Sequence, residues 1–353
     1  MFRRARLSGV VLIIILALAL AGCTEEKSVQ KSETVMDTVV TLSASGSDAE
    51  KAIDESMERL KALENLASNK IPSSDVSRIN NAAGSGEWIK VSPEIFHLLE
   101  VSQKYSRLSN GAWDITAGAL VDLWGIGTDR ARVPSSEEIK NALKLVGYDR
   151  LELDENTSSA RLLTKGMKID LGGIAKGMAV DEVRKIYEQH GIENGLINIG
   201  ASSMYAIGKN TKGADWRVGI RHPRGSADDV LAVVTLSSEA LSTSGDYERY
   251  IEKDGVRYHH IIDPRTGYPA RNGAISDTVV IDGDLADAGM ISDLLTTTVF
   301  IMGAAGGSDF LATLPPEVSG MIATEDKKLY PAHGFNARLE ALNQDFSLCG
   351  AGK

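Results

Sequence analysis

The sequence predicts an α+β fold: mixed sheets with packed helices, forming a single body. Three observations predict it. Strand-like runs cluster between helices over residues 151–171 and 195–236, rather than alternating one for one with them. The 34 glycines supply many turns, and the 353 residues are enough for a large core. No internal repeat, low-complexity segment or linker divides the chain.

The first residues are read as a targeting segment. Met1 to Arg6 is basic, Val10 to Leu20 is apolar, and Leu20-Ala21-Gly22-Cys23 closes the run. This resembles a bacterial lipobox. The resemblance implies a signal peptide over 1–22 and a lipidated Cys23 as mature N-terminus, exported and anchored to the cell membrane on its periplasmic or extracytoplasmic face. An uncleaved anchor or an ordinary signal peptide are the other readings. Residues 23–33 are polar and read as a tether. Loss of Arg3, Arg4 and Arg6 takes the net charge from -10 to -13. With no basic stripe, nucleic acid is not an expected partner. The only other cysteine is Cys349, so with Cys23 modified no internal disulfide is expected.

A single domain is expected over 34–345, with a short tail over 346–353. Thr34–Leu42 reads as the first strand. Ile53, Met57, Leu60, Leu63 and Leu66 recur at helical spacing after Ser47-Asp48. Ser68–Asn80 reads as a polar loop. Ser92-Pro93 starts a helix carrying Phe96, Leu99 and Leu108, and Ser135 with Glu138 opens another through a capping box. Strands are expected at 151–153, 160–163, 168–171, 195–199, 204–207, 216–220, 230–236 and 278–281. Helices are expected from Gly173 to about His190 and over 286–302, with Gly303 to Gly307 ending the latter.

Four stretches could carry chemistry. In Asp170-Leu-Gly-Gly-Ile-Ala-Lys-Gly177, a carboxylate and two glycines precede a helix whose free N–H groups and dipole would favour a phosphate. The same glycines would also serve a plain tight turn. Asp293 and Thr297, four apart on one helix face, are hard oxygen donors suited to Mg²⁺, or an exposed pair bonded within its own helix. Tyr258-His-His260 precedes the turn Asp263-Pro-Arg-Thr-Gly267. Neighbouring strand residues face opposite ways, so one histidine is expected to face a site as a base. Ala112-Trp113-Asp114 could receive a flat ring, or simply pack. The six scattered histidines do not suggest zinc.

Taken in order, these stretches resemble the ApbE flavin transferases. The carriers are Thr34–Thr38, Ser74–Asn80, Gly111–Gly127, Asp170–Gly177, Asn198–Gly200, Trp216–Ile220, Ser242–Tyr247, His260–Gly267 and the Asp293–Thr297 helix. The resemblance implies a T-fold-like body that transfers FMN from FAD to a threonine or serine of an acceptor protein, with Mg²⁺, releasing AMP. The acceptor is expected to be a subunit of a membrane redox complex. Hydrolysis of FAD to FMN and AMP, or mere FAD storage, are the alternatives. The resemblance further implies His260 as base and flavin contact, and Met36, Asn69, Ala112, Trp113, Asp114, Asp170 and Lys176 around FAD. It implies a metal held by the Gly173 carbonyl, Asp293 and Thr297, with Thr296 nearby. Two departures stand out: Asp37 replaces a usual glycine after Met36, and Ala201-Ser202 replaces Gly-Asn after Gly200.

Overall fold

The computed structural model describes residues 28–226 and 228–349. The expected signal peptide over 1–22 and the lipidation site Cys23 lie outside the described residues.

Strands β1 (Ser28–Val35) and β2 (Thr38–Ser45) lead into α1 (Ala49–Ala67), α2 (Asp75–Asn81), β3 (Ile89–Lys90), α3 (Pro93–Leu108), α4 (Gly118–Trp124) and α5 (Ser136–Leu143). Next come β4 (Leu151–Asp154), β5 (Ser159–Leu162), α6 (Ala175–Gln189), β6 (Asn194–Ile199), β7 (Ser203–Ile207), β8 (Trp216–Arg221), β9 (Val230–Leu236) and β10 (Glu239–Gly245). The hairpin β11 (Tyr250–Lys253) and β12 (Val256–His259) precedes β13 (Ala274–Asp282) and α7 (Ala288–Leu311). The chain closes with β14 (Val318–Thr324), β15 (Lys328–Ala332), β16 (Leu339–Leu342) and β17 (Ser347–Leu348).

A nine-stranded sheet in the order β1-β2-β6-β7-β10-β13-β14-β15-β17 forms the middle layer. Only its last pair, β15–β17, is parallel. One face packs on α1, α6 and α7 through residues such as Leu42, Val279, Ile281, Leu295 and Phe300. The other face packs on the three-stranded sheet β16-β9-β8 through Val280, Leu241, Val234 and Phe335. Val279 and Val280 thus enter different cores, which is why β13 reads as a continuous buried run. A third, smaller core gathers Leu120, Trp124, Ile139 and Ile262.

Local signals hold where they are strong. Ser92 accepts from the Ile95 N–H, and Ser135 and Glu138 form the expected capping box. Asp254 and Gly255, at φ 54° and 73°, turn the β11–β12 hairpin. Elsewhere the structure differs from expectation. The polar tether ends by Ser28, because Ser28–Val35 pairs along the edge of the sheet with β2. The tail likewise is not free: Phe346 is buried and β17 pairs with β15. The single strand expected over 34–42 is two strands, divided at Met36 and Asp37 by left-handed φ values of 55° and 58°. Within the expected loop 68–80, Ser74 caps the helix α2. Leu108 is exposed rather than core. Residues 168–171 make one isolated bridge, Ala117 to Lys168, instead of a strand. Gly303, at φ 74° and ψ 178°, breaks α7 where its end was expected, but helical turns resume to Leu311.

Candidate active site

The site lies where the first turn of α6 meets α7. Gly177 and Gly289 bring the two backbones together: a Cβ on Gly177 would collide with the Gly289 carbonyl. At this distance the Gly177 N–H donates to Asp293 Oδ2 at 3.0 Å. Ser203 Oγ donates to Asp293 Oδ1 at 3.0 Å, and Lys176 Nζ lies 3.6 Å from the same oxygen. One turn on, Thr297 is the one residue of 288–301 that is not buried. A Cβ on Gly173 would stand 2.9 Å from Thr297 Oγ1 and 3.0 Å from Trp113 Cζ3. Gly173 thus meets Thr297, and Gly177 meets Asp293 one turn away on the same face of α7.

This geometry corrects the expected phosphate cradle. The start of α6 is not an open anion site, because Asp293 already provides the anion there. Ala175 N–H is taken by the Leu171 carbonyl and Gly172 N–H by Asp170 Oδ1. A carboxylate at a helix N-terminus satisfies orphan N–H groups and suits the positive dipole end. Thr296 is also placed differently from its expected metal role. Its hydroxyl donates to the Asp293 carbonyl at 2.7 Å and accepts from Ser244 Oγ at 2.9 Å, facing the sheet. Thr297 Oγ1 makes no hydrogen bond among the described residues.

Distant segments converge on the same place. Asp170 accepts from Asn69 Nδ2 at 3.0 Å, so the loop after α1 does reach the site. Lys70 pairs with Asp37 at 2.6 Å and ties that loop to the Met36 turn. Burial pushes the Asp170 carboxyl upward, against the Gly172 N–H. Ala112 and Trp113 are buried, and the indole Nε1 of Trp113 has no partner. Asp114 is built into the turn that carries Trp113. Its Oδ1 accepts from the N–H and hydroxyl of Thr116, and its Oδ2 from the Tyr148 N–H at 2.9 Å. Both oxygens accept from the local turn and so help to position Trp113.

The two histidines separate as strand geometry requires. His259 is buried, hydrogen-bonded to the Ala270 carbonyl and set edge-on against Phe300. His260 is half-buried, just past β12, with Nδ1 3.3 Å from the Arg249 carbonyl. A carbonyl can only accept, so Nδ1 carries the proton and Nε2 keeps a free lone pair. Desolvation, then the charges of Arg249 and His259, push the imidazolium pKa down to about 3. His260 is therefore held as a neutral imidazole.

Ser203, Arg249 and Asp277 were not singled out from the sequence, and Ser244 was marked only as part of the Ser242–Tyr247 stretch. Isolated serines and arginines carry no local signal; only the sheet register brings them here. Ser244 and Asp277 are cross-strand partners, so both face α7. Asp277 is 2 % exposed with neither oxygen partnered, and burial pushes its carboxyl well above the usual range. Among the described residues no group of three or more His, Cys, Asp or Glu side chains could hold a metal. A cation here would use carbonyl and hydroxyl oxygens beside one carboxylate.

The ApbE family model matches residues 36–322. A Klebsiella pneumoniae FAD:protein FMN transferase is 36% identical over 248 residues, 70% of this chain and 74% of that protein. A Treponema pallidum protein of the same name is 32% identical over 310 residues, 84% of this chain and 83% of its own length. The crystal structure of the ApbE protein from Thermotoga maritima superposes with TM-score 0.80 at 32% identity, covering 89% of this chain and 100% of that one. The flavin transferase ApbE from Vibrio cholerae gives 0.79 at 29% identity, with the same coverage. Fold and relatives together define an enzyme of the flavin transferase class. The T-fold-like α+β expectation agrees with these structures. The chain belongs to the ApbE family.

Proposed function

We propose that this chain transfers the FMN half of FAD to a threonine or serine hydroxyl of an acceptor protein, releasing AMP. The observation that carries the reading is the pairing of a neutral His260 with the oxygens of Gly173, Asp293 and Thr297, bridged by Lys176, which lies 3.6 Å from Asp293 and whose charge acts on His260. The acceptor oxygen bonds to the FMN phosphorus, and the P–O bond to AMP breaks. The hydroxyl proton passes to Nε2 of His260. The product is a phosphodiester-linked flavin.

These oxygens fit Mg²⁺. One carboxylate, one hydroxyl without a hydrogen bond and one carbonyl are hard oxygen donors, and glycine at 173 leaves space against Thr297. A bound Mg²⁺ would neutralise charge on the pyrophosphate oxygens. The chain's own contribution is to hold Asp293 through Gly177 and Ser203, and to keep His260 unprotonated.

Lipid attachment at Cys23 and an acceptor in a membrane redox complex belong to the same proposal. With β1 starting at Ser28, the span from Cys23 is at most roughly 17 Å when fully extended. The domain would then work close to the bilayer. Incubating the chain with FAD, Mg²⁺ and an acceptor domain tests the reading. Covalently bound flavin with AMP supports transfer, free FMN with AMP would mean hydrolysis, and FAD bound unchanged would mean storage.

A further inference from the structure

Two arginines of this region, Arg249 and Arg271, make no ion pair among the described residues, and Arg271 is stacked on the Tyr258 ring. Arg221 pairs with Glu248, Arg224 with Asp246, Arg257 with Glu252 and Arg265 with Asp263. Arg249 lies among them in sequence, is exposed, and makes no ion pair among the described residues. Its position is nevertheless fixed. Its carbonyl accepts the His260 N–H at 3.0 Å and faces Nδ1 of the same residue. Its side chain lies across Gly127, where a Cβ would stand 2.9 Å from Cδ. Any larger residue at 127 would displace it.

Two cations thus converge on one neutral imidazole. The charges of Arg249 and of Lys176 both act on His260, and that of Arg249 also acts on Asp170. Lys176 already faces Asp293 at 3.6 Å, whereas the exposed Arg249 guanidinium makes no ion pair among the described residues and is free to take an anion. A guanidinium presents a planar fork of donors that matches phosphate oxygens two at a time. We propose that Arg249 binds the pyrophosphate of the dinucleotide, opposite Lys176, and so fixes the scissile bond beside His260. This assignment rests on the flavin-transfer reading, and names a residue for the phosphate that the start of α6 does not hold.

The test compares FAD with riboflavin, which lacks phosphate, by fluorescence titration of the wild-type chain, Arg249→Gln and Arg249→Lys with Mg²⁺ present. Loss of a charge-assisted contact should weaken FAD binding by roughly 10–100-fold in Arg249→Gln, with riboflavin affinity unchanged. Arg249→Lys should fall between, because a point charge replaces the fork. Wild-type FAD affinity in Arg249→Gln would overturn the assignment, as would an equal loss for FAD and riboflavin. A wild-type chain that binds no FAD would overturn the flavin-transfer reading itself, and the assignment with it.

Discussion

Gly177 donates its backbone N–H to Asp293 Oδ2 at 3.0 Å, so the first turn of α6 is capped by a side chain of α7. The contact exists because glycine meets glycine where the helices cross. It turns an expected phosphate cradle into a holder for a carboxylate. One turn further along α7 the Thr297 hydroxyl stands against the Gly173 backbone, and these oxygens are the proposed holders of Mg²⁺.

Charge and hydrogen bonding at Asp293 can be separated. Asp293→Asn keeps an acceptor for Gly177 or Ser203 but loses the charge. It is expected to unfold near the wild-type urea midpoint while losing at least about 10²-fold in transfer at ordinary Mg²⁺. Asp293→Ala should lose activity too and about 1–3 kcal/mol of stability, because a buried N–H is left unpaired. An active Asn variant would remove Asp293 from the cation site.

The two threonines should respond oppositely. Thr297→Val is expected to raise the Mg²⁺ needed for half-maximal rate by about tenfold or more, and Thr297→Ser to restore it. Thr296→Val breaks the Ser244 and Asp293 contacts, and should cost about 1–3 kcal/mol with no change in Mg²⁺ demand. A Mg²⁺ titration of each variant decides the assignment.

His260→Ala should slow transfer by roughly 10²–10⁴-fold, the span for losing a general base. Only the unprotonated imidazole accepts the proton, so rate falls as pH drops through the pKa of His260. With that pKa pushed down to about 3, the rate at pH 5.5 should match that at pH 7.5 as far as His260 is concerned. An acid limb near 6.5 that disappears in His260→Ala would show an imidazole in an ordinary environment.

Asp277 should make stability fall as pH rises. Its carboxyl pKa is raised by burial in the folded chain and returns to the ordinary aspartate value of 3.8 when unfolded. Above that value the unfolded chain releases the proton while the folded chain retains it, so unfolding is favoured progressively toward neutral pH. Asp277→Asn should flatten this slope between pH 4 and 7 and raise stability at pH 7, measured by urea titrations across the range. An unchanged slope would mean that Asp277 ionises in the fold.

What was legible in the sequence was local. The Ser92 and Ser135 caps, the Asp254-Gly255 turn and the β6–β9 strands are each written in a few adjacent residues. β1 was hidden because an edge strand with one face to solvent has the composition of a tether. The break at Met36 and Asp37 was hidden because neither is glycine, although both are left-handed. Asp37 and Ala201, which both stand at departures from the family pattern, have φ 58° and 56°. The turns survive there without glycine, with Ala201 N–H held by Asn198 Oδ1 at 2.9 Å. Asp293 and Thr297 were legible from helical spacing. Ser203 and Arg249 were not, because only sheet register and a hairpin place them beside α7 and His260.

The most direct test is the mass of the acceptor after reaction with FAD and Mg²⁺ in ¹⁸O-water. Transfer predicts one FMN added to a threonine or serine, one AMP released for each, and no ¹⁸O in the linkage. An acceptor of unchanged mass beside free FMN or AMP carrying ¹⁸O would contradict it, since water would then be the nucleophile.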